Sequence, residues 1–308
     1  MSQPRVAVLI PCYNEAVAIG RVVADFRAAL PEAVVYAYDN NSTDGTPAVA
    51  QAAGALVGRE MLQGKGHVVR RMFADVDADI YVLVDGDGTY AAGSAPEMVA
   101  MLATGQLDMV TAVRVTGEAG AYRRGHVFGN IVLTGLVARL FGARVSDMLS
   151  GYRVFSRRFV KSFPALSGGF ETETELTVHA LQMAMPLGEI AAPYRERPAG
   201  SASKLRTIQD GLRILRLILM LVKDERPLPL FSLAALVLFL AGAVLGAGVV
   251  LEFWRTGLVP RLPTAIVAAA LVALSFLSLA CGLILDSVAR GRRETKRLAY
   301  LSIPGPQR

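Results

Sequence analysis

The sequence predicts an α/β fold: a doubly wound, mostly parallel sheet over residues 1–225, followed by a membrane hairpin. Three observations predict it. Short apolar, β-branched runs alternate with segments of helical spacing, as strands and crossover helices do. Polar clusters close three of the strands: Tyr13-Asn14-Glu15, Asp39-Asn40-Asn41 and Asp85-Gly86-Asp87. In an open α/β sheet, ligands bind beyond those carboxyl ends. Finally, residues 228–286 are almost wholly apolar, while hydrophobic residues make up 53% of the whole chain and mean hydropathy is +0.42.

Arg5–Ile10 is a β-branched run that Pro11 ends, which suits a buried parallel strand. Ile19, Val22, Val23, Phe26 and Leu30 have helical spacing, and Pro31 stops that helix. Val34–Tyr38 is the second strand, Asn40–Gly45 a turn, Thr46–Ala53 a helix and Ala55–Val57 a third strand. Gly64-Lys65-Gly66 then leads into a helix from His67 to Ala74. Ile80–Val84 is a strand running into Asp85, Ala95–Ala103 a helix and Met109–Val113 a strand. The chain has no internal repeat or low-complexity tract.

Leu228–Leu251 and Thr264–Leu285 are each long enough to cross a hydrocarbon core of about 30 Å. Each is apolar around its whole circumference, unlike a core-facing helix. Lys223 and Arg226 precede the first span, and Arg290, Arg292, Arg293, Lys296 and Arg297 follow the second. The positive-inside rule therefore puts the head and the C-terminus in the cytoplasm. Leu205, Ile208, Leu212, Leu215, Leu219 and Val222 form one stripe. It reads as an amphipathic helix in the membrane interface, or else as a helix packed on the head. The N-terminus is expected to carry no signal peptide, because Arg5–Ile10 is too short an apolar run. Cys12 and Cys281 lie in different regions, so no disulfide is expected. A net charge of +6 without a basic, aromatic-interleaved run argues against nucleic acid as a partner. The domain plan is residues 1–202 for the head, 203–226 for the interfacial helix and linker, and 227–308 for the hairpin and tail.

Two carboxylates one residue apart, Asp85 and Asp87, can hold a hard divalent cation that bridges phosphate oxygens. Gly64-Lys65-Gly66 could set backbone N–H groups and an ammonium near phosphate, or be a plain glycine turn.

These segments together resemble a family. Ile10-Pro11-Cys12-Tyr13-Asn14-Glu15 resembles the opening motif of family 2 glycosyltransferases, and Asp39 through Thr46 their Asp-Asp-Gly-Ser-x-Asp-Gly-Thr segment. Asp85-Gly86-Asp87 matches their metal motif. Ser146-Asp147-Met148-Leu149-Ser150-Gly151-Tyr152-Arg153 is similar to a block of dolichol-phosphate mannose synthases and bacterial polyprenyl-phosphate glycosyltransferases. Gly200 through Leu205 resembles their late Gly-x-Ser-Lys-Leu segment.

The resemblance implies a GT-A fold, a nucleotide-sugar donor, Mg²⁺ or Mn²⁺, and a polyprenyl (undecaprenyl-type) phosphate acceptor at a bilayer, in cell-envelope glycan synthesis. It implies that Pro11, Tyr13 and Glu15 line the nucleotide pocket, with Tyr38, Asp39 and Asn40 near the base. Asn40 departs from the usual aspartate. Asp85, Gly86 and Asp87 match the metal and diphosphate positions, and Arg114, Arg197 and Lys204 match phosphate-binding positions, with Lys65 beside them. Asp87, Arg114, Arg153 and Glu175 are the catalytic candidates, Glu175 with a structural alternative. Arg123 and Arg124 are assigned to the acceptor phosphate on charge alone, the alternative being a solvated loop.

The expected reaction is transfer of a hexose, from a UDP-sugar by preference, to polyprenyl phosphate with inversion. A processive polysaccharide synthase would add a Gln-x-x-Arg-Trp motif, and Trp254, the sole tryptophan, sits in the hairpin loop. A lipid-linked sugar translocator would leave the metal motif without purpose. Whether the protein is a homo-oligomer is open.

Overall fold

The first strand, β1 (Val6–Cys12), is buried along most of its length and pairs in parallel with β2 (Val34–Asp39), from Ala7 opposite Val34 to Cys12 opposite Asp39. It runs two residues beyond the sequence expectation. Its other neighbour, β4 (Ile80–Leu83), pairs only as far as Leu9 opposite Leu83, so Pro11 lies past that ladder and its missing N–H breaks nothing there. The computed structural model describes residues 4–115, 135, 145–169, 171–198, 220, 223 and 227–306.

Seven strands form one sheet in the order β3-β2-β1-β4-β6-β5-β7. They include β3 (Leu56–Arg59), β5 (Met109–Val115), β6 (Arg153–Ser156) and β7 (Leu187–Pro193). Among the described strands only β6 runs antiparallel, against both β4 and β5. Five helices belong to this unit: α1 (Ile19–Ala29), α2 (Thr46–Ala52), α3 (Lys65–Asp75), α4 (Ala95–Thr104) and α5 (Arg157–Ser162). A sixth, α6 (Thr172–Gln182), follows them. Two apolar layers sandwich the sheet. One holds Val8, Ile10, Val82 and Val110 beneath α1 and α4, and the other holds Leu9, Tyr81, Phe155 and Leu176 beneath α3, α5 and α6. Because β1, β2, β3 and β4 are parallel, their carboxyl ends gather the three polar clusters at one edge.

The chain divides into two compact units, residues 1–217 with 296–308, and residues 218–295. Residues 296–308 thus group with the sheet-bearing unit. Tyr300 Oη donates to Asp108 Oδ2 at 2.8 Å, and the Arg158 guanidinium stacks 4.7 Å from the Tyr300 ring.

Two long helices follow, α7 (Pro227–Thr256) in the second unit and α8 (Leu262–Leu301), which belongs to the second unit up to Thr295; both are long and apolar enough to cross a membrane. Apart from Pro227, which opens α7, their buried positions recur every seventh residue: Ala235, Gly242 and Val249 on α7, and Ala268, Ser275, Gly282 and Ala289 on α8. That is a small-residue seam of the kind that lets two helix backbones approach. Ser278 Oγ closes it by donating to Phe231 O at 3.0 Å. The expected interfacial helix over 203–226 lies outside the described residues, apart from Met220 and Lys223.

Candidate active site

The first two strand-end motifs are tied to each other. Asn14 takes a left-handed conformation (φ 52°), its N–H donates to Ser42 Oγ at 2.8 Å, and its Oδ1 accepts the Thr43 N–H at 2.8 Å. Glu15 N–H donates to Thr46 Oγ1 at 2.8 Å, and Asp39 accepts the Ser42 N–H. Pro11, Tyr13, Glu15 and Asp39 therefore stand on a cross-braced edge. Tyr13 is exposed, whereas Glu15 and Asp39 are buried.

Asn40 is buried and uses every polar atom of its amide. Nδ2 donates to Glu60 O at 2.9 Å and Leu62 O at 2.8 Å, and Oδ1 accepts Gly64 N–H at 2.7 Å and Gln63 Nε2 at 3.2 Å. A carboxylate has no donors for the two carbonyls, which accounts for asparagine where the family pattern has an acid. Tyr38 is not at the site. Its ring occupies the space that a Gly58 side chain would fill, and its hydroxyl donates to Asp75 Oδ2 at 3.2 Å.

At the end of β4, Asp85 Oδ1 accepts Lys65 Nζ at 2.5 Å, and the same ammonium bonds Glu173 Oε1. Burial opposes the Lys65 charge, but the two carboxylates outweigh it and raise the ammonium well above its ordinary range. The other Glu173 oxygen, Oε2, is buried and has no hydrogen-bond partner among the described residues. The Gly64-Lys65-Gly66 loop owes its glycines to packing. A Cβ on Gly66 would lie 2.0 Å from Ser167 O, and Gly66 N–H donates to Gly168 O at 3.1 Å.

Asp87 is buried. Its Oδ1 accepts Thr89 N–H at 3.0 Å and Thr89 Oγ1 at 2.7 Å, while its Oδ2 meets Arg197 Nη2 at 2.6 Å. Arg197 also reaches Glu15 Oε1 at 3.7 Å. Burial and the Asp85 charge push the Asp87 carboxyl up, against the pull of Arg197 and Thr89. Gly86 between them packs on β1, where a Cβ would come 3.3 Å from Cys12 Sγ.

The Ser146–Arg153 block packs on Asp85 through Gly151. Arg114 Nε and Nη2 form a bidentate pair with Asp147 at 2.7 and 2.8 Å. Ser150 Oγ donates to Ala112 O at 2.6 Å, and Gly151 N–H donates to Tyr90 Oη at 2.9 Å. A Cβ on Gly151 would stand 2.3 Å from Asp85 Oδ2.

Two catalytic candidates have other work. Arg153 is 1% exposed and donates to Ser150 O (2.9 Å), Met148 O (2.5 Å) and Thr177 Oγ1 (2.8 Å), so it clamps the block from behind and does not reach the pocket. Glu175 accepts the Leu166 and Ser167 N–H groups, each at 2.8 Å, and shapes that loop. Glu173, two residues earlier, is the one at the site, and sequence reasoning missed it. The structure thus brings Lys65, Asp85, Asp87, Arg197 and Glu15 together, with Arg114 at the end of β5, which β6 separates from β4. Arg123, Arg124 and Lys204 lie outside the described residues.

No cluster of three metal-ligating acidic, histidine or cysteine side chains exists among the described residues. Asp85 and Asp87 end one strand together, and burial, followed by the Asp85 charge, raises the Asp87 carboxyl. That donor set fits a divalent cation holding one or two protein carboxylates, with phosphate oxygens and water filling its remaining positions.

Comparison with known proteins agrees with this geometry. The family described as Glycosyl transferase family 2 matches residues 7–163. Glycosyltransferase AglJ of Haloferax volcanii is 34% identical over 228 residues, covering 74% of this chain and 75% of that protein. A dolichyl-phosphate hexose transferase of the same organism is 32% identical over 221 residues, covering 71% and 95%. Among solved structures, glucosyl-3-phosphoglycerate synthase from Mycobacterium tuberculosis, in complex with Mn²⁺, uridine diphosphate and glucosyl-3-phosphoglycerate, aligns with a TM-score of 0.58. It is 21% identical, over 70% of this chain and 79% of that one, and identifies the fold as GT-A. A matched family model, relatives alike over most of both chains and a shared sheet give one conclusion: the chain belongs to glycosyl transferase family 2 and is a glycosyltransferase.

Proposed function

We propose that the enzyme transfers a hexose from a nucleoside-diphosphate sugar, a UDP-sugar by preference, to a polyprenyl phosphate, inverting the anomeric carbon. The observation that carries this reading is the Asp85–Asp87 pair at the end of β4, each carboxylate matched to a cation, Lys65 or Arg197. The lipid-phosphate acceptor draws support from the dolichyl-phosphate hexose transferase relative, which aligns over 95% of its own length. The uridine nucleotide draws support from the Mn²⁺- and Mg²⁺-bound uridine-diphosphate complexes of the structural neighbour.

Asp85 and Asp87 would hold Mg²⁺ or Mn²⁺, which neutralises charge on the leaving diphosphate. Lys65 and Arg197 add fixed positive charge around that diphosphate, and Glu15 and Glu173 keep both cations in place. Glu173 Oε2 is left to accept a sugar hydroxyl. A phosphate monoester has a second pKa of about 6, so at neutral pH the acceptor is already largely an oxyanion and needs positioning more than deprotonation. Arg114, braced by Asp147, supplies part of that positioning, and Arg123, Arg124 and Lys204 are proposed for the rest. The head and the C-terminus lie in the cytoplasm in this reading.

The test is a radiolabelled-donor assay with purified protein, polyprenyl phosphate and a panel of UDP- and GDP-sugars, with and without chelator. The expected products are nucleoside diphosphate and a lipid-soluble β-linked monophosphosugar from an α-linked donor. A long polymer, a retained anomer, released nucleoside monophosphate or chelator-resistant transfer would overturn the corresponding part.

A further inference from the structure

The loop leaving β3 is held more firmly than an exposed loop needs to be. Besides the three main-chain bonds made by Asn40, Asn41 Nδ2 donates to Met61 O at 2.9 Å, Leu62 N–H donates to Glu60 Oε1 at 2.7 Å, and Glu60 N–H donates to Asp39 O at 2.9 Å. The two side chains at its tip nevertheless point outward, Met61 67% and Leu62 54% exposed. A mobile loop could fold such side chains inward, but this one is fixed by a buried amide so that it cannot. Arg59, which ends β3 two positions before Met61, is exposed and has no ion-pair partner among the described residues. Large apolar side chains beside an unpaired cation, on a rigid support, match the headgroup–acyl boundary of an anionic bilayer.

We propose that Met61 and Leu62 form a lipid-contacting tip, seated among the lipid headgroups with Arg59 at the phosphates. The tip lies at the same carboxyl edge of the sheet as Asp85, so it would hold that edge to the surface from which a lipid-borne acceptor comes. The inference rests on the membrane reading of α7 and α8 and not on the identity of the sugar or the acceptor.

The experiment places a spin label at Leu62→Cys in the full-length Cys281→Ser protein, where Cys12 is buried and stays unlabelled. The protein is put one copy per nanodisc in bilayers containing phosphatidylglycerol, and accessibility to oxygen is compared with accessibility to an aqueous nickel chelate. The expected label is oxygen-accessible and nickel-shielded, at a depth of roughly 5–10 Å. A label at exposed Glu32→Cys, at the opposite end of the sheet, should show the reverse. Leu62 is exposed, so the substitution leaves the core intact, and a Met61→Cys label should agree with it. A nickel-accessible label at 62 in a properly inserted protein overturns the tip alone. A label shielded only on adding UDP makes the loop part of the nucleotide site and overturns it too. Failure of the protein to enter nanodiscs overturns the tip together with the membrane reading.

Discussion

Lys65 and Glu173 are 108 positions apart in the chain and share one buried ion pair that also takes in Asp85. Each carboxylate relies on the ammonium, whose side chain is 11% exposed. Removing one partner of such a set leaves charge buried without compensation, at a cost of about 3–5 kcal/mol. Lys65→Met should therefore lower the melting temperature by several degrees. It should also reduce kcat/KM at least about a hundredfold, as loss of a preorganised charge does. Calorimetry beside donor-saturation kinetics measures both; an unchanged kcat/KM would remove Lys65 from the site.

Gly151 separates a structural role from a functional one. A methyl group there would stand 2.3 Å from Asp85 Oδ2, so the carboxylate must move. A displacement of about 1 Å in a catalytic group costs on the order of a hundredfold in rate. Gly151→Ala should thus keep a folded, well-melting protein and lose transfer to that extent. Metal affinity, followed by Mn²⁺ electron paramagnetic resonance, should fall with it.

Those two residues show what the sequence could and could not disclose. The strands β1, β2 and β4 were legible because a buried parallel strand is a continuous apolar run, and the clusters at their ends follow from that assignment. The β6 strand was not, because it opens on fully buried Arg153, a residue no apolar pattern would admit. The choice between Glu173 and Glu175 depends on the phase of α6 against the sheet, which tertiary packing sets. The docking of the tail depends on Asp108, a residue far from it in the chain that nothing local to Tyr300 announces.

Asn40 is the clearest case of a departure from a family pattern that the structure explains. Asn40→Asp would leave the carbonyls of Glu60 and Leu62 without donors and set a carboxylate against them. An unsatisfied buried group costs about 1–3 kcal/mol. The variant should melt several degrees lower and raise KM for the donor, with hydrogen exchange accelerated over residues 60–64. Restored stability at low pH, where the new carboxyl is protonated and can donate once, would support the same account.

His179 offers a pH test. Burial, aided by the charge of Lys296, pushes its imidazole down to about 3. Phe159 and Phe163 meet it edge-on, and Ser162 Oγ lies 3.3 Å from Nε2. The unfolded chain then binds a proton that the folded one refuses. The native imidazole's contribution is complete above about pH 6.5 and declines toward pH 3 at roughly 1.4 kcal/mol per unit. Denaturant melts of wild type and His179→Gln should differ less at pH 5.5 than at pH 7.5, by about 1 kcal/mol. A constant difference would mean that the ring is solvated.

The tail supplies the last prediction. Asp108 is fully buried and accepts Ser156 Oγ at 2.6 Å, Arg158 Nε at 2.5 Å, Arg158 Nη2 at 2.9 Å and Tyr300 Oη at 2.8 Å. Three of those bonds come from the β6–α5 corner of the sheet unit and the fourth from the tail, so the tail completes the solvation of a buried charge. Tyr300→Phe keeps the ring over Arg158 and deletes only the hydroxyl; it should cost about 1.5–3 kcal/mol, as hydrogen bonds to charged groups do. Tyr300→Ala removes the ring as well and should cost more. Asp108 immediately precedes β5, whose far end carries Arg114, so loosening that corner should raise protease sensitivity in the head before it alters transfer. Limited proteolysis of the full-length variants in detergent, read against their melting temperatures, checks the order of these effects. If Tyr300→Ala melts and digests as wild type does, residues 296–306 are not part of the catalytic unit.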